Sequence, residues 1–185
     1  MSAEPRIDEH TSLEELAALV CTTLDAHGIS VVLSGGAVVS IYSDGEYVSD
    51  DLDFVPIGLA RKVDGAMRSL GFEKHRRHWT HPRSRYWIEF PPGPVAIGEE
   101  TIRTFARRET RQGTLRLLAP TECVMDRLAW FIHDADTQCL EQAVRVATLH
   151  PVDLKRIERW ARGERPRGAE RFREFVRRLR ESANA

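Results

Sequence analysis

Two aspartates one residue apart, Asp51 and Asp53, stand out chemically in this 185-residue chain. They belong to Asp51-Leu52-Asp53-Phe54-Val55, whose alternation predicts a strand. On a strand, residues i and i+2 share a face with α-carbons about 6.6–6.8 Å apart. Both carboxylates then point one way, and Leu52 and Phe54 point the other. Parallel carboxylates repel, and a divalent cation between them turns that repulsion into binding. Mg²⁺ favours a few carboxylates completed by phosphate oxygens. Upstream, Ser34-Gly35-Gly36 separates the apolar run Gly28–Leu33, read as a strand, from Ala37–Tyr42, read as a short helix. A sharp strand-to-helix turn exposes backbone N–H groups. Glycine lets a phosphate approach them, and the helix dipole favours its charge. Ser34 adds a hydroxyl donor. An anion cradle followed by a cation-binding carboxylate pair suits a metal-bound nucleoside triphosphate.

Gly35-Gly36, fourteen intervening residues and Asp51-Leu52-Asp53-Phe54 together resemble the signature of the nucleotidyltransferase superfamily, the DNA polymerase β-like fold. That pattern is Gly-Gly or Gly-Ser, a spacer of roughly nine to thirteen, then Asp-hydrophobic-Asp/Glu-hydrophobic. The resemblance spans about residues 28–90. It implies a third carboxylate on a later strand, and Ile88-Glu89-Phe90 matches that triplet. It further implies that Asp51, Asp53 and Glu89 ligate one or two Mg²⁺ ions, with Mn²⁺ as a substitute. Glu89 would also help to deprotonate the attacking hydroxyl. Ser34, Gly35 and Gly36 would hold the β- and γ-phosphates of an NTP. An acceptor hydroxyl would attack the α-phosphorus in line and pyrophosphate would leave.

Two departures from the pattern carry expectations. The long spacer predicts an extra loop around Asp44-Gly45-Glu46, and Ala37, where many members have Ser, shifts a phosphate contact to Ser34. The helices after Pro120 are similar to those of small prokaryotic nucleotidyltransferase-like proteins, including members of toxin–antitoxin systems. The implied acceptor is an RNA or tRNA end or a protein side chain. Two rivals stand beside this: a non-catalytic antitoxin or RNA-binding module on the same fold, and a small-molecule enzyme of the aminoglycoside type. The sequence carries no mark of a particular oligomeric state.

These residues need a frame. Ser12-Leu13-Glu14-Glu15 is a capping box that starts a helix along Leu13, Leu16, Ala17, Val20 and Leu24. A helix over 59–70, a strand near 72–75 and a strand over 86–90 follow. Thr104–Thr110 and Thr114–Leu118 flank a hairpin turn, and helices over 121–134, 137–149, 152–163 and 169–182 complete the chain. Leu128, Trp130 and Phe131 are expected in the core. The expected fold class is α/β (α+β). A nucleotidyltransferase-like mixed sheet flanked by helices occupies residues 1–119, and a helical region occupies 120–185.

Composition narrows the class. Hydrophobic residues are 42% and charged residues 30%, which excludes collagen-like and disordered chains. No apolar run is long enough to span a bilayer, and the polar N-terminus is unlike a secretory signal. Cys21, Cys123 and Cys139 form no Cys-x-x-Cys pair, so a cytoplasmic protein is expected. Residues 1–60 hold eleven acids and one base, Arg6, whereas 61–185 hold seventeen acids and twenty-six bases. The first stretch suits a cation and the second a polyanion. The segment Lys74–Arg85 carries five Lys/Arg and three His. It reads as a solvated basic loop, with phosphate or RNA binding as its functional role. A zinc site at His75, His78 and His81 is disfavoured, because spacing of three suits a helix. Arg162–Glu181, with eight Arg and four Glu, reads as an amphipathic surface helix.

Overall fold

The structure, a computed structural model of the protein, describes residues 7–57, 63–164 and 166–184. Its helices are α1 (Leu13–Ala26), α2 (Gly36–Tyr42), α3 (Asp64–Ser69), α4 (Pro120–Asp134), α5 (Thr137–Leu149), α6 (Leu154–Gly163) and α7 (Gly168–Ala183). Its strands are β1 (Val31–Ser34), β2 (Asp51–Pro56), β3 (Glu73–His75), β4 (His78–Thr80), β5 (Trp87–Glu89), β6 (Ala96–Ile97), β7 (Glu100–Thr101), β8 (Ala106–Thr110) and β9 (Gly113–Leu117). The chain divides into two compact units. The first comprises the described residues of Met1–Ala37, Val48–Val95 and Phe105–Leu117, and the second those of Val38–Tyr47, Ala96–Thr104 and Leu118–Ala185.

The first unit is built on a seven-stranded mixed sheet in the order β3-β4-β5-β2-β1-β9-β8. β1 runs antiparallel to β2 and parallel to β9, and β2 runs parallel to β5. Alternation and register place Leu33, Leu52, Phe54, Trp79, Ile88, Leu115 and Leu117 on one face, where each is almost wholly buried. Each such side chain stabilises the fold by about 1.5–3 kcal/mol relative to exposure. That apolar face fixes the register, because a slip by one residue would turn every one of these side chains outward.

α1 starts with the expected capping box. Ser12 Oγ accepts from the Glu15 N–H at 3.2 Å, and Glu15 Oε2 accepts from the Ser12 N–H at 3.3 Å. Its buried residues pack on β9, β8 and β1. Arg116 of β9 donates to Asp25 Oδ2 at 2.9 Å and to the Val31 carbonyl at 2.7 Å, tying helix, strand and neighbouring strand together.

Two expectations for this unit change. The first part of the segment Lys74–Arg85 belongs to a β3–β4 hairpin that turns through Arg76 at φ 58°, and only 81–85 form the expected loop. Trp79 explains why, since it is 1% exposed and anchors β4 between the polar His78 and Thr80. Of the helix expected over 59–70, α3 provides Asp64–Ser69, and 59–62 lie outside the described residues.

The second unit holds a β6–β7 hairpin and α4–α7. Pro120 opens α4, where no backbone donor is needed. Asp136 caps α5 by accepting from the Gln138 and Cys139 N–H groups at 2.9 and 3.1 Å, and Asp153 caps α6 through the Arg156 N–H at 2.9 Å. Leu128 and Phe131 are buried as expected, but Trp130 is 52% exposed. It lies about 200° around α4 from Leu128, off the buried stripe. Phe172 and Phe175 bury one side of α7, as its amphipathic pattern requires. Several charges here are paired. Arg156 bridges Glu100 and the buried Glu122, and Arg127 lies on Asp126 at 2.6 Å with Gln142 at 3.5 Å. Trp160 Nε1 donates to the Ile97 carbonyl at 3.1 Å, seating α6 on the hairpin. Among the described residues no helix is long and apolar enough to cross a membrane.

Candidate active site

The glycine bend and the aspartate pair meet at the end of β1. Ser34, its last residue, pairs with Asp53 of β2, and Asp53 pairs on its other side with Glu89 of β5. Strand partners point to the same face, so Ser34, Asp53 and Glu89 lie side by side on neighbouring strands about 4.8 Å apart. Asp51, two residues before Asp53, shares that face and is in register with Trp87. Asp51, Asp53 and Glu89 are all half-buried, in contrast to the sealed Leu52 and Ile88 behind them. The polar face therefore follows from the same alternation that builds the core.

Each group has a defined neighbour. Gly35 adopts φ +73°, a conformation that glycine takes without strain. A Cβ there would come within 2.8 Å of Asp53 Oδ2, so the bend and the carboxylate are in direct contact. Gly36 begins α2, which has seven residues. The Ser34 hydroxyl donates to the Asp53 carbonyl at 3.3 Å, so its hydrogen serves the β1–β2 seam. Ser49 donates to Asp51 Oδ1 at 2.6 Å and orients that carboxylate. Asp44 at φ 51° and Gly45 at φ 79° turn the chain in the loop expected before Asp51.

The Glu89 environment was hidden in the basic segment. His78 on β4 lies beside Glu89, with Nε2 at 2.7 Å from Oε1, and Arg77 Nε is 3.5 Å from Oε2. A carboxylate only accepts, so His78 Nε2 carries the hydrogen between them. Arg85 lies 3.9 Å from Asp50 and stacks its guanidinium over Tyr86. His81 is turned inward: it is 8% exposed, its Nδ1 accepts from the Arg83 N–H at 3.2 Å, and its ring lies 5.3 Å from Phe72. Burial, reinforced by Arg83, pushes its pKa below the ordinary 6.5. The alternation His78-Trp79-Thr80 was the available signal that His78 would face Glu89.

The donors are hard oxygens of the kind Mg²⁺ selects, spread over two adjacent strands beside a bend with no side chain. Among the described residues no three His, Cys, Asp or Glu side chains are drawn tightly enough to surround an ion. Asp51 and Asp53 remain on one face, with Glu89 swung onto His78. The donor set fits a divalent cation in its chemistry and its shared face, and closing it requires Glu89 to leave its partners.

The chain matches no protein-family model and no curated protein. Among solved structures it is similar to an antigenic nucleotidyltransferase-like protein from Paracoccidioides brasiliensis. The TM-score is 0.57 and the identity 14%, over 74% of this chain and 76% of that one. It is also similar to the antibiotic-resistance factor ANT(2'')-Ia, with a TM-score of 0.46 and 13% identity over 95% of this chain and 98% of that one. The mixed sheet, with its glycine bend packed against an Asp-x-Asp strand, and the first of these likenesses identify the fold as nucleotidyltransferase-like.

Proposed function

We propose that the protein transfers a nucleoside monophosphate from an NTP to an acceptor hydroxyl. The observation that carries this is the placement of Asp51, Asp53 and Glu89 on one sheet face, with Asp53 against Gly35. Asp51 and Asp53 would hold Mg²⁺ or Mn²⁺, with Glu89 available from the adjoining strand. When bound, the ion supplies charge neutralisation at the phosphates and at the leaving oxygen. Gly35 and Gly36 let the β- and γ-phosphates approach the backbone. The acceptor oxygen bonds to the α-phosphorus as the bond to the bridging oxygen breaks and pyrophosphate departs. The hydroxyl proton passes to Glu89, and Ser49 keeps Asp51 turned to the same face.

The resemblance of the helical region favours a macromolecular acceptor, an RNA or tRNA end or a protein side chain, in a toxin–antitoxin setting. The test incubates the protein with each labelled NTP, Mg²⁺ or Mn²⁺, RNA and cell protein, beside Asp51→Ala/Asp53→Ala. Label on RNA or protein that disappears in the variant supports the proposal and names the acceptor class. Label on an added aminoglycoside instead redirects it to a small molecule. No label, with equal NTP binding by both proteins, overturns it in favour of a non-catalytic module.

A further inference from the structure

Trp87 lies on the polar sheet face beside the carboxylates, and the transfer reaction as proposed gives it no role. It is 37% exposed. The sheet already has a core tryptophan in this region, Trp79, which is 1% exposed on the opposite face. Trp87 therefore adds nothing to that core. Register places it directly abreast of Asp51 on β2 and opposite Thr80 on β4, two residues before Glu89. Its backbone is held, because the Trp87 N–H donates to the Asp50 carbonyl at 3.0 Å. Among the described residues its indole N–H has no hydrogen-bond partner, whereas the buried Trp160 indole has one.

The exposed part of the Trp87 ring is apolar surface that a flat ligand can cover with a gain in free energy. What belongs there follows from its neighbours. The carboxylates and the glycine bend attract the phosphate end of a nucleotide through a cation. A π-surface on the strand next to Asp51, on the same face, is then placed to meet the other end, the base. Stacking suits any base, because every base has a π-face. Thr80 beside the ring offers a hydroxyl to a base edge or sugar.

We propose that Trp87 is the stacking platform for the nucleobase of the bound NTP. This rests on the proposed NTP site. It goes beyond that site by assigning the base its own subsite, on β5 in the first unit. The subsite recognises an aromatic heterocycle and not the triphosphate.

The experiment measures Mg²⁺-dependent binding of ATP, GTP, CTP, UTP and inorganic tripolyphosphate to the full chain by equilibrium dialysis. The proteins are wild type, Trp87→Ala, Trp87→Phe and Trp130→Ala, the last a control for an exposed tryptophan elsewhere. Thermal unfolding verifies that each variant is folded. The expected result is an NTP affinity about tenfold or more weaker in Trp87→Ala. Trp87→Phe should keep most of the affinity, Trp130→Ala all of it, and tripolyphosphate should bind all four proteins equally. Indole fluorescence quenched by NTP in wild type but not in Trp87→Phe would place the base on this ring. If wild type binds NTP and Trp87→Ala binds it equally well, the stacking role falls while the NTP site stands. If Trp87→Ala loses tripolyphosphate in parallel, the residue acts on the phosphate end and the proposal is overturned. If wild type binds neither NTP nor tripolyphosphate, the underlying NTP site fails and this subsite with it.

Discussion

The polar face of the first unit and the charge clusters of the second use the same side-chain types to different ends. In the helical unit several charges are set against an opposite partner: Arg156 spans Glu100 and Glu122, and Arg127 lies on Asp126, while His133 meets Glu164 at 2.6 Å. On the sheet, three acids share one face, with a serine hydroxyl on Asp51 and with His78 and Arg77 on Glu89. Matched buried charges hold a fold together and become costly when one partner is removed. Gathered like charges destabilise the protein alone and are relieved by a cation. The contrast separates structure from chemistry in a way that neither cluster would alone.

The largest expected effect tests the sheet side. Asp51→Asn with Asp53→Asn should lower nucleotidyl transfer by roughly 10²–10³-fold, the scale of losing a charge-stabilising group at a reacting centre. Thermal unfolding should hold steady or improve, since mutual repulsion is gone. Calorimetry showing a large drop in stability would make these aspartates structural and erase the contrast. Arg156→Ala should give the reverse signature. Glu122, 4% exposed at its side chain, would be left buried without its base, at about 3 kcal/mol. Urea denaturation reads that loss, and activity per folded molecule should stay near wild type.

Gly35→Ala sharpens the comparison by striking both properties at once. Its positive φ costs about 1–2 kcal/mol for an L side chain, and the new methyl would push against Asp53 Oδ2. Stability and transfer should fall together, so a variant with wild-type activity would show that the bend and the carboxylate are not coupled. Asp136→Ala removes the α5 cap and should cost about 1 kcal/mol with transfer intact. The Cys139 N–H, with further bonds to Cys139 and Gln138, holds the Asp136 carboxyl below the ordinary 3.8. Its contribution is therefore complete above pH 3.8 and fades as pH falls through the lower folded value. Comparing acid unfolding of the variant and wild type checks the sign.

The smallest effect belongs to His81. Its folded pKa lies below the unfolded 6.5, so the unfolded chain binds the extra proton first. Stability should be full above pH 6.5 and decline as pH drops below it. His81→Gln should flatten that slope, and an unchanged slope would show that His81 titrates alike in both states.

Much of this was legible in residues. Ser12 and Glu15 announced α1, and the alternation through Asp51 and Asp53 announced β2 with both carboxylates on one face, because alternation and capping are local rules. The strand near 72–75 was legible as β3, but β4 and the hairpin it closes were not, since a three-residue strand inside a run of His and Arg leaves almost no periodicity to read. Trp79 was its only apolar anchor. For the same reason the partners of Glu89 stayed hidden, because they depend on β4 lying beside β5. Trp130 misled because its size suggested the core, while its angular position on α4 placed it outside. Residues 38–47 and 96–104, which belong to the helical unit by their contacts, carry no compositional mark of that membership.

The central place of β1 has a consequence for biosynthesis. β1 gains its second neighbour only when β9, some eighty residues downstream, pairs Leu117 with Leu33. A nascent chain that has emerged only as far as β5 can already set Asp51, Asp53 and Glu89 in line, yet the strand supporting the glycine bend still has an open edge. The sheet around the glycine bend is therefore completed late on the ribosome, after the hairpin of Ala106–Leu117 has emerged.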